Sequence, residues 1–434
     1  MRLAIIGSGI AGMGAAWALH RDHEIVLYER KPRLGGHSHT VDIDYDGIRI
    51  AVDTGFIVYN EISYPNLTAL FAELGVPTTP TQMTFGFSAQ NGRLEYQGST
   101  IRSLFAQKRN VLNPSFHRMW LDILRFRREA LADLLNGRAD RHTLGSYLEQ
   151  NRYGTTFRDN CIIPMGAAIW SSRPDEMLAF PAQSFIRFFE NHRLLYFEKP
   201  SWRTVQGGSR EYVKRLTAPF ADRIRLNTPV ERIERDATGV DVVDAMGTRD
   251  RFDNVILACH GDQALALLAD PSNAERQVLG ALRYAANEVL LHRDPALMPK
   301  RKSVWSSWNY LAHAANGVGA ASVTYWMNAL QHIDQRCPLF VSLNPPKAPA
   351  SHLTFARFTC HHPQFDTAAL AAQRRLPLIQ GARRTWFCGA YAGYGFHEDG
   401  LRSGFEVASH LRAQATWRTA ASARVSPKIH EAAE

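Results

Sequence analysis

The sequence predicts an α/β chain built on a Rossmann-like parallel sheet, and three observations predict it. The apolar run Leu3-Ala4-Ile5-Ile6 stands directly before a glycine cluster. A small-residue stretch, Ala15 to Leu19, follows as a helix. A second apolar run, Glu24 to Tyr28, then ends at the acidic residue Glu29. Short apolar runs with no alternation read as strands buried on both faces, which is the signature of a parallel sheet.

The first element is the strand around Leu3–Ile6. The second is the turn Gly7-Ser8-Gly9-Ile10-Ala11-Gly12, a G-x-G-x-x-G pattern. Gly7 permits the tight turn, Gly9 leaves the backbone bare for a pyrophosphate, and Gly12 lets helix and strand pack closely. The helix that starts here adds partial positive charge from its N-terminus. Glu29, with Arg30 beside it, closes the next strand 20 residues beyond Gly9, where a carboxylate accepts hydrogen bonds from a ribose diol. These positions predict a bound dinucleotide, NAD or FAD.

The stretches that follow favour FAD. "RLGGHSHT" places Gly36 and His37 after Glu29, and "GIRIAVDTGFIVYN" ends a strand at Asp53, Gly55 and Phe56. With the glycine turn, these resemble the flavin amine oxidase superfamily, which includes monoamine oxidases, protoporphyrinogen oxidases and carotenoid desaturases. Residues 228–260 resemble its middle FAD segment, with Val230 at the adenine. Residues 384–411 resemble its C-terminal FAD segment. There the resemblance implies a strand ending at Gly389 and a helix from about Asp399 and Leu401 whose N–H groups face the flavin. It implies FAD as the only dinucleotide, because one fingerprint is present. The implied fold is a Rossmann-like FAD-binding domain of the glutathione-reductase/amine-oxidase type with an inserted α+β substrate domain. The expected organisation is 1–75, 205–265 and 375–415 for the FAD domain, 76–204 and 266–374 for the substrate domain, and 416–434 as a C-terminal tail.

Three positions depart from amine oxidases. By resemblance Asn287 stands where they carry a lysine, Phe396 replaces an aromatic residue with a hydroxyl, and His37 replaces an arginine. "WSSWNY", "HPQFD" and "WFCGAYAGYGFHEDGLRSG" are similar to a bacterial branch of amine-oxidase-like proteins associated with cyclopropane-fatty-acid-synthase-like methyltransferases. That branch includes a desaturase of methylated phospholipid acyl chains in furan fatty acid formation. The resemblance therefore implies an FAD-dependent oxidoreductase that takes a hydride from a methyl-branched unsaturated acyl chain, with a methyltransferase as partner. Two other readings stand beside it: an oxidase of a soluble amine, and a flavin-binding lipid-docking partner without chemistry. His397, Glu398 and Tyr59 are the candidate bases, with His37 and His361 as further options.

Charge and composition bear on location. The chain carries 50 basic and 41 acidic residues, a formal charge of +9. Residues 101–128 hold seven basic residues and one acid, Asp122, interleaved with Trp120, Ile123 and Leu124. Residues 293–310 add a second basic cluster with two tryptophans. Such segments suit peripheral contact with an anionic membrane surface. Nucleic acid is not expected as a partner. Five scattered cysteines, without a CxxC pair, point to a reducing compartment, with no disulfide framework or zinc site. Adjacent His361 and His362 are not expected to hold a metal, and Cys360 is expected as a core thiol. The absence of a signal segment or an 18-residue apolar run predicts a cytoplasmic protein, peripheral on the inner membrane face.

Overall fold

The computed structural model describes residues 1–312 and 322–411. The strand Arg2–Ile6 sits at the centre of a five-stranded sheet in the order 224–225, 24–28, 2–6, 254–257, 385–387, every pair parallel. Its two faces explain the unbroken apolar runs. Leu3, Ile5, Ile25, Leu27 and Ile256 join one core cluster, while Ala4, Ile6, Val26, Tyr28, Val255 and Leu257 join another on the opposite face. With no face left to water, alternation has no physical basis here.

On the first face lies the helix Ile10–Leu19, buried along its whole length. It is covered in turn by His397–His410. Small residues allow the contact: a Cβ on Gly404 would stand 2.3 Å from the Ala11 carbonyl oxygen, and one on Gly14 2.6 Å from Leu401. Leu401 is therefore a helix-packing residue. The other face carries the three-stranded meander Val230–Arg235, Val240–Asp244 and Arg249–Phe252. It also carries residues of Gly261–Leu267, Asn273–Leu279 and Thr367–Arg375. The helix Asn273–Leu279 and all but the last residue of Thr367–Arg375 lie in the sequence outside the three segments expected for the FAD domain, yet they pack on its sheet.

A seven-stranded sheet forms the second half, in the order 354–363, 284–292, 340–343, 322–326, 308–312, 85–89, 94–97. Only the pair 308–312 and 85–89 is parallel. Helices Pro114–Leu135, Leu144–Gln150, Ile163–Trp170 and Ala182–Asn191 contribute an aromatic-rich core with this sheet. The strand Trp202–Val205 pairs with Val58–Asn60 and Thr78–Thr81 and stitches the halves together. Among the described residues no helix is long and apolar enough to cross a membrane. The expected tail 416–434 lies outside the described residues.

Candidate functional site

One cavity of about 1360 Å³ is bordered by the glycine turn at one side and by the helices of the second half at the other. The glycines act as their spacing predicts. Gly7 has φ +106°, and a Cβ there would lie 2.8 Å from the Ala258 carbonyl oxygen. A Cβ on Gly12 would stand 2.0 Å from the Gly7 oxygen. Gly9 differs: nothing lies within 4 Å of its Cβ position. The bare space faces the first turn of Ile10–Leu19, whose leading N–H groups have no intrahelical acceptor. Gly9 and Ala11 border the cavity here.

Ser8 is fully buried and donates from both its N–H (3.1 Å) and its Oγ (2.6 Å) to Glu29 Oε2. Lys31 N–H donates to the other oxygen at 2.9 Å. The turn thus fixes the carboxylate, and Glu29 borders the cavity with Arg30, Lys31 and Arg33. Gly36, His37, Gly55, Phe56, Val230 and Gly389 border it as well.

The candidate bases separate. His397 borders the cavity, stacked on Phe56 at 4.0 Å between ring centroids. Its Nε2 is 2.6 Å from Tyr212 Oη and 3.2 Å from Ser38 Oγ, and Ser38 also hydrogen-bonds Tyr212. Burial, and secondarily His37, push its pKa down to about 3. Glu398 is placed differently. Its carboxylate accepts from Asn66 N–H (2.9 Å), Asn66 Nδ2 (2.7 Å) and Leu67 N–H (3.0 Å), satisfying the start of the helix Pro65–Glu73. Tyr59 is buried against Tyr64 and Phe71 and is not among the cavity-bordering residues. Asp399 does not border the cavity either. It accepts from Tyr394 N–H (3.0 Å) and Phe396 N–H (3.1 Å), so the helix begins at His397 rather than near Asp399.

Sequence reasoning missed much of the wall. Among the described residues seven histidines border the cavity, His37, His39, His192, His260, His361, His362 and His397, of which the sequence had singled out His37, His361 and His397. His37 is open to the cavity, yet the surrounding protein displaces bulk water and pushes its pKa down to about 4. Burial lowers His260 and His362 to about 3 and His192 to about 4. Both His361 and His362 border the cavity, although successive side chains of a strand alternate. Cys360 and Cys259 border it too, so Cys360 is half-buried wall rather than core. Asn287 is buried, donating to Ala285 O and accepting from Asn344, away from the cavity. The stretch Ala258-Cys259-His260 had a signal, since it follows a parallel strand at the carboxyl edge where ligands bind. The pairing of Ser38, Tyr212 and His397 had none.

The basic segments are only partly free. Arg125 bonds the Asn151 carbonyl, pairs with Asp122 and Glu129 and covers the Tyr153 ring. Arg127 borders the cavity, and Arg128 is exposed. Arg301 pairs with the fully buried Glu95, and Arg293 with Asp46. The expected basic face therefore reduces to part of 101–128 with the exposed Lys300 and Lys302.

Residues 10–302 match the flavin containing amine oxidoreductase family, and the chain belongs to it. It is 25% identical over 362 residues to the protein described as flavin-containing monoamine oxidase AofH of Mycobacterium tuberculosis, covering 79% of this chain and 70% of that protein. A putrescine oxidase variant superposes with a TM-score of 0.71 at 16% identity, over 95% of this chain and 99% of that one. A CLA-producing fatty acid isomerase from P. acnes gives 0.69 at 16% identity, over 94% and 98%. The last two likenesses concern the fold. The chain is an FAD-dependent oxidoreductase of this family. The open space before Gly9, the fixed carboxylate of Glu29 and the cations beside it fit FAD. Gly7 to Ala11 would hold the pyrophosphate, Glu29 the ribose and Val230 the adenine. Gly55, Phe56, Gly389 and His397 would border the ring.

Proposed function

We propose that this oxidoreductase desaturates an acyl chain, specifically a methyl-branched unsaturated chain of a membrane phospholipid. One observation carries the reading: among the described residues that border the cavity, Glu29 is the only carboxylate, and it belongs to the nucleotide end. Beyond that end the wall is mainly apolar and aromatic, with Met165, Ile169, Trp170, Phe188, Trp308 and Tyr325, and its charged members Arg127, Arg193 and Lys199 are all cationic. A cationic amine would find no counter-charge there, and burying an unpaired ammonium costs several kcal/mol. A hydrocarbon chain gains about 0.8 kcal/mol for each CH₂ it buries.

Bound FAD supplies the acceptor for two electrons. The chain's own residues supply the rest. The aromatic wall excludes water and orients the chain. His397, neutral at pH 7, borders the cavity with Nε2 held by Tyr212 and Ser38 and is the proposed acceptor of the substrate proton. Negative charge arriving in the cavity raises that basicity. The outer surface suits the same substrate. Exposed Ile101, Leu112, Leu121 and Leu124 stand with exposed Lys108, Arg109, Arg118 and Arg128, a basic and apolar patch matched to anionic lipid.

The test compares the masses of lipids from cells with and without the gene. A two-dalton loss in methyl-branched chains is expected only when the gene is present. Unchanged lipids, with peroxide released on adding amines to the purified protein, would replace this reading with amine oxidation.

A further inference from the structure

We infer that Arg127 forms, with Arg193 and Lys199, a site for the anionic head of the acyl substrate at the mouth of the cavity. The inference rests on the acyl-chain reading above and assigns the substrate its orientation.

Arg127 lies on the helix Pro114–Leu135, one turn beyond Leu124, and both border the cavity. Its guanidinium stands 5.2 Å from the ring centroid of Phe197, which is 76% exposed. On its inner side it is near enough to the buried thiol of Cys161 to feel it electrostatically. It therefore spans from the wall of the chamber to its rim. Burial lowers the pKa of Arg127 from its ordinary value, which still leaves the guanidinium charged at neutral pH. Its neighbour Arg125 is saturated by a carbonyl and two carboxylates. Arg127 has no ion pair and no hydrogen bond among the described residues. A half-buried guanidinium without a counter-charge is costly, and the cost is recovered when an anion enters.

Two more cations share this rim. Arg193 and Lys199 flank the turn that carries Phe197, border the same cavity and have no carboxylate partner among the described residues. Arg193 lies over the ring of Tyr196 at 4.3 Å, which fixes its direction. A planar guanidinium with two parallel donors matches a carboxylate or a phosphate. With the head held here, the chain runs past Trp170, Phe188 and His192 towards Phe396 and His397. Phe188 and His192 lie 5.0 and 5.3 Å from Phe396, at the entry to the catalytic helix.

Binding to the holoenzyme tests this with three probes of one chain length, kept below their aggregation concentrations: oleate, oleoyl lysophosphatidate and uncharged oleyl alcohol. Arg127→Met should weaken one or both anions by about tenfold to a hundredfold and leave the alcohol within twofold. Arg127→Lys should restore part of the loss. Loss confined to oleate identifies a free carboxylate as the head, and loss confined to the lysophospholipid identifies a phosphate. Flavin content and melting temperature of each variant show whether it is folded; if Arg127→Met fails to fold, Arg193→Met with Lys199→Met carries the same comparison. Anion and alcohol affinities that stay unchanged in folded variants overturn the head site while leaving the acyl chamber standing. Failure of all three probes on the unmodified holoenzyme overturns the chamber reading itself, and the head site with it.

Discussion

The two ends of the cavity are built by different physics. At the nucleotide end the backbone does the binding: a bare helix terminus, a turn at positive φ and one carboxylate pinned by three donors. At the other end side chains do it. Residues from four helices and several strands, far apart in sequence, converge as a wall of rings with cations at the rim. Backbone sites tolerate little change in shape, whereas a wall of side chains can be repacked with modest loss. The first end is therefore shared across a family, and the second decides what is oxidised.

That contrast breaks most severely at the glycines. Gly12→Val places atoms inside van der Waals contact of the Gly7 oxygen, and we expect no folded yellow protein. Gly9→Leu has room in the protein and should fold with a normal circular dichroism spectrum, yet purify colourless. A yellow Gly9→Leu protein would place the dinucleotide elsewhere. Next in size is His397→Asn, expected to retain FAD and slow flavin reduction by about a hundredfold or more. A smaller loss would leave His397 a packing residue on Phe56.

Acid should act broadly. Six cavity histidines have pKa values of about 3 or 4 in the folded chain, below the ordinary value of 6.5. Between pH 6.5 and 4 the unfolded chain takes up these protons and the folded chain does not, so stability falls as pH falls. Asp53 works oppositely, because burial pushes its pKa up to about 6 and its contribution declines as pH rises from about 4 to 6. The buried carboxyls of Glu398 and Asp399, also pushed up by burial, act with Asp53, and three groups against six leave a net loss in acid, read as a melting temperature that falls as the pH drops. A flat profile across this range would show that the wall is not held neutral. The smallest effect lies outside. Leu121→Ser with Arg128→Glu should change stability by less than about 0.5 kcal/mol and reduce binding to anionic vesicles severalfold. Unchanged vesicle binding would detach the outer patch from the substrate's route.

The sequence was readable where function is local in the chain. The glycine turn and Glu29 follow from spacing, because a strand, a turn and a helix in succession form that cradle, whereas Val230 and Gly389 came only through the family resemblance. Glu398 and Asp399 misled because acidic residues at a helix start serve two purposes, and here both satisfy backbone donors. Tyr59 misled because a strand beside the cavity directs alternate residues away from it. Of the histidine wall only His37, His361 and His397 stood out singly, and their convergence with His39, His192, His260 and His362 was not legible, since the members lie between residues 37 and 397 and meet only through the fold. Arg125, Arg127 and Arg128 read alike in the sequence. Helical geometry sends the first inward, the second into the cavity and the third to solvent.

The central claim is that one cavity brings an acyl chain, not an amine, to the flavin. Mixing the oxidised holoenzyme without oxygen against methyl-branched phospholipids and, separately, against putrescine and benzylamine tests it directly. The account predicts that the yellow absorbance bleaches with the lipid alone and that the recovered chain is two daltons lighter. Bleaching by an amine, with the lipid inert, would contradict it.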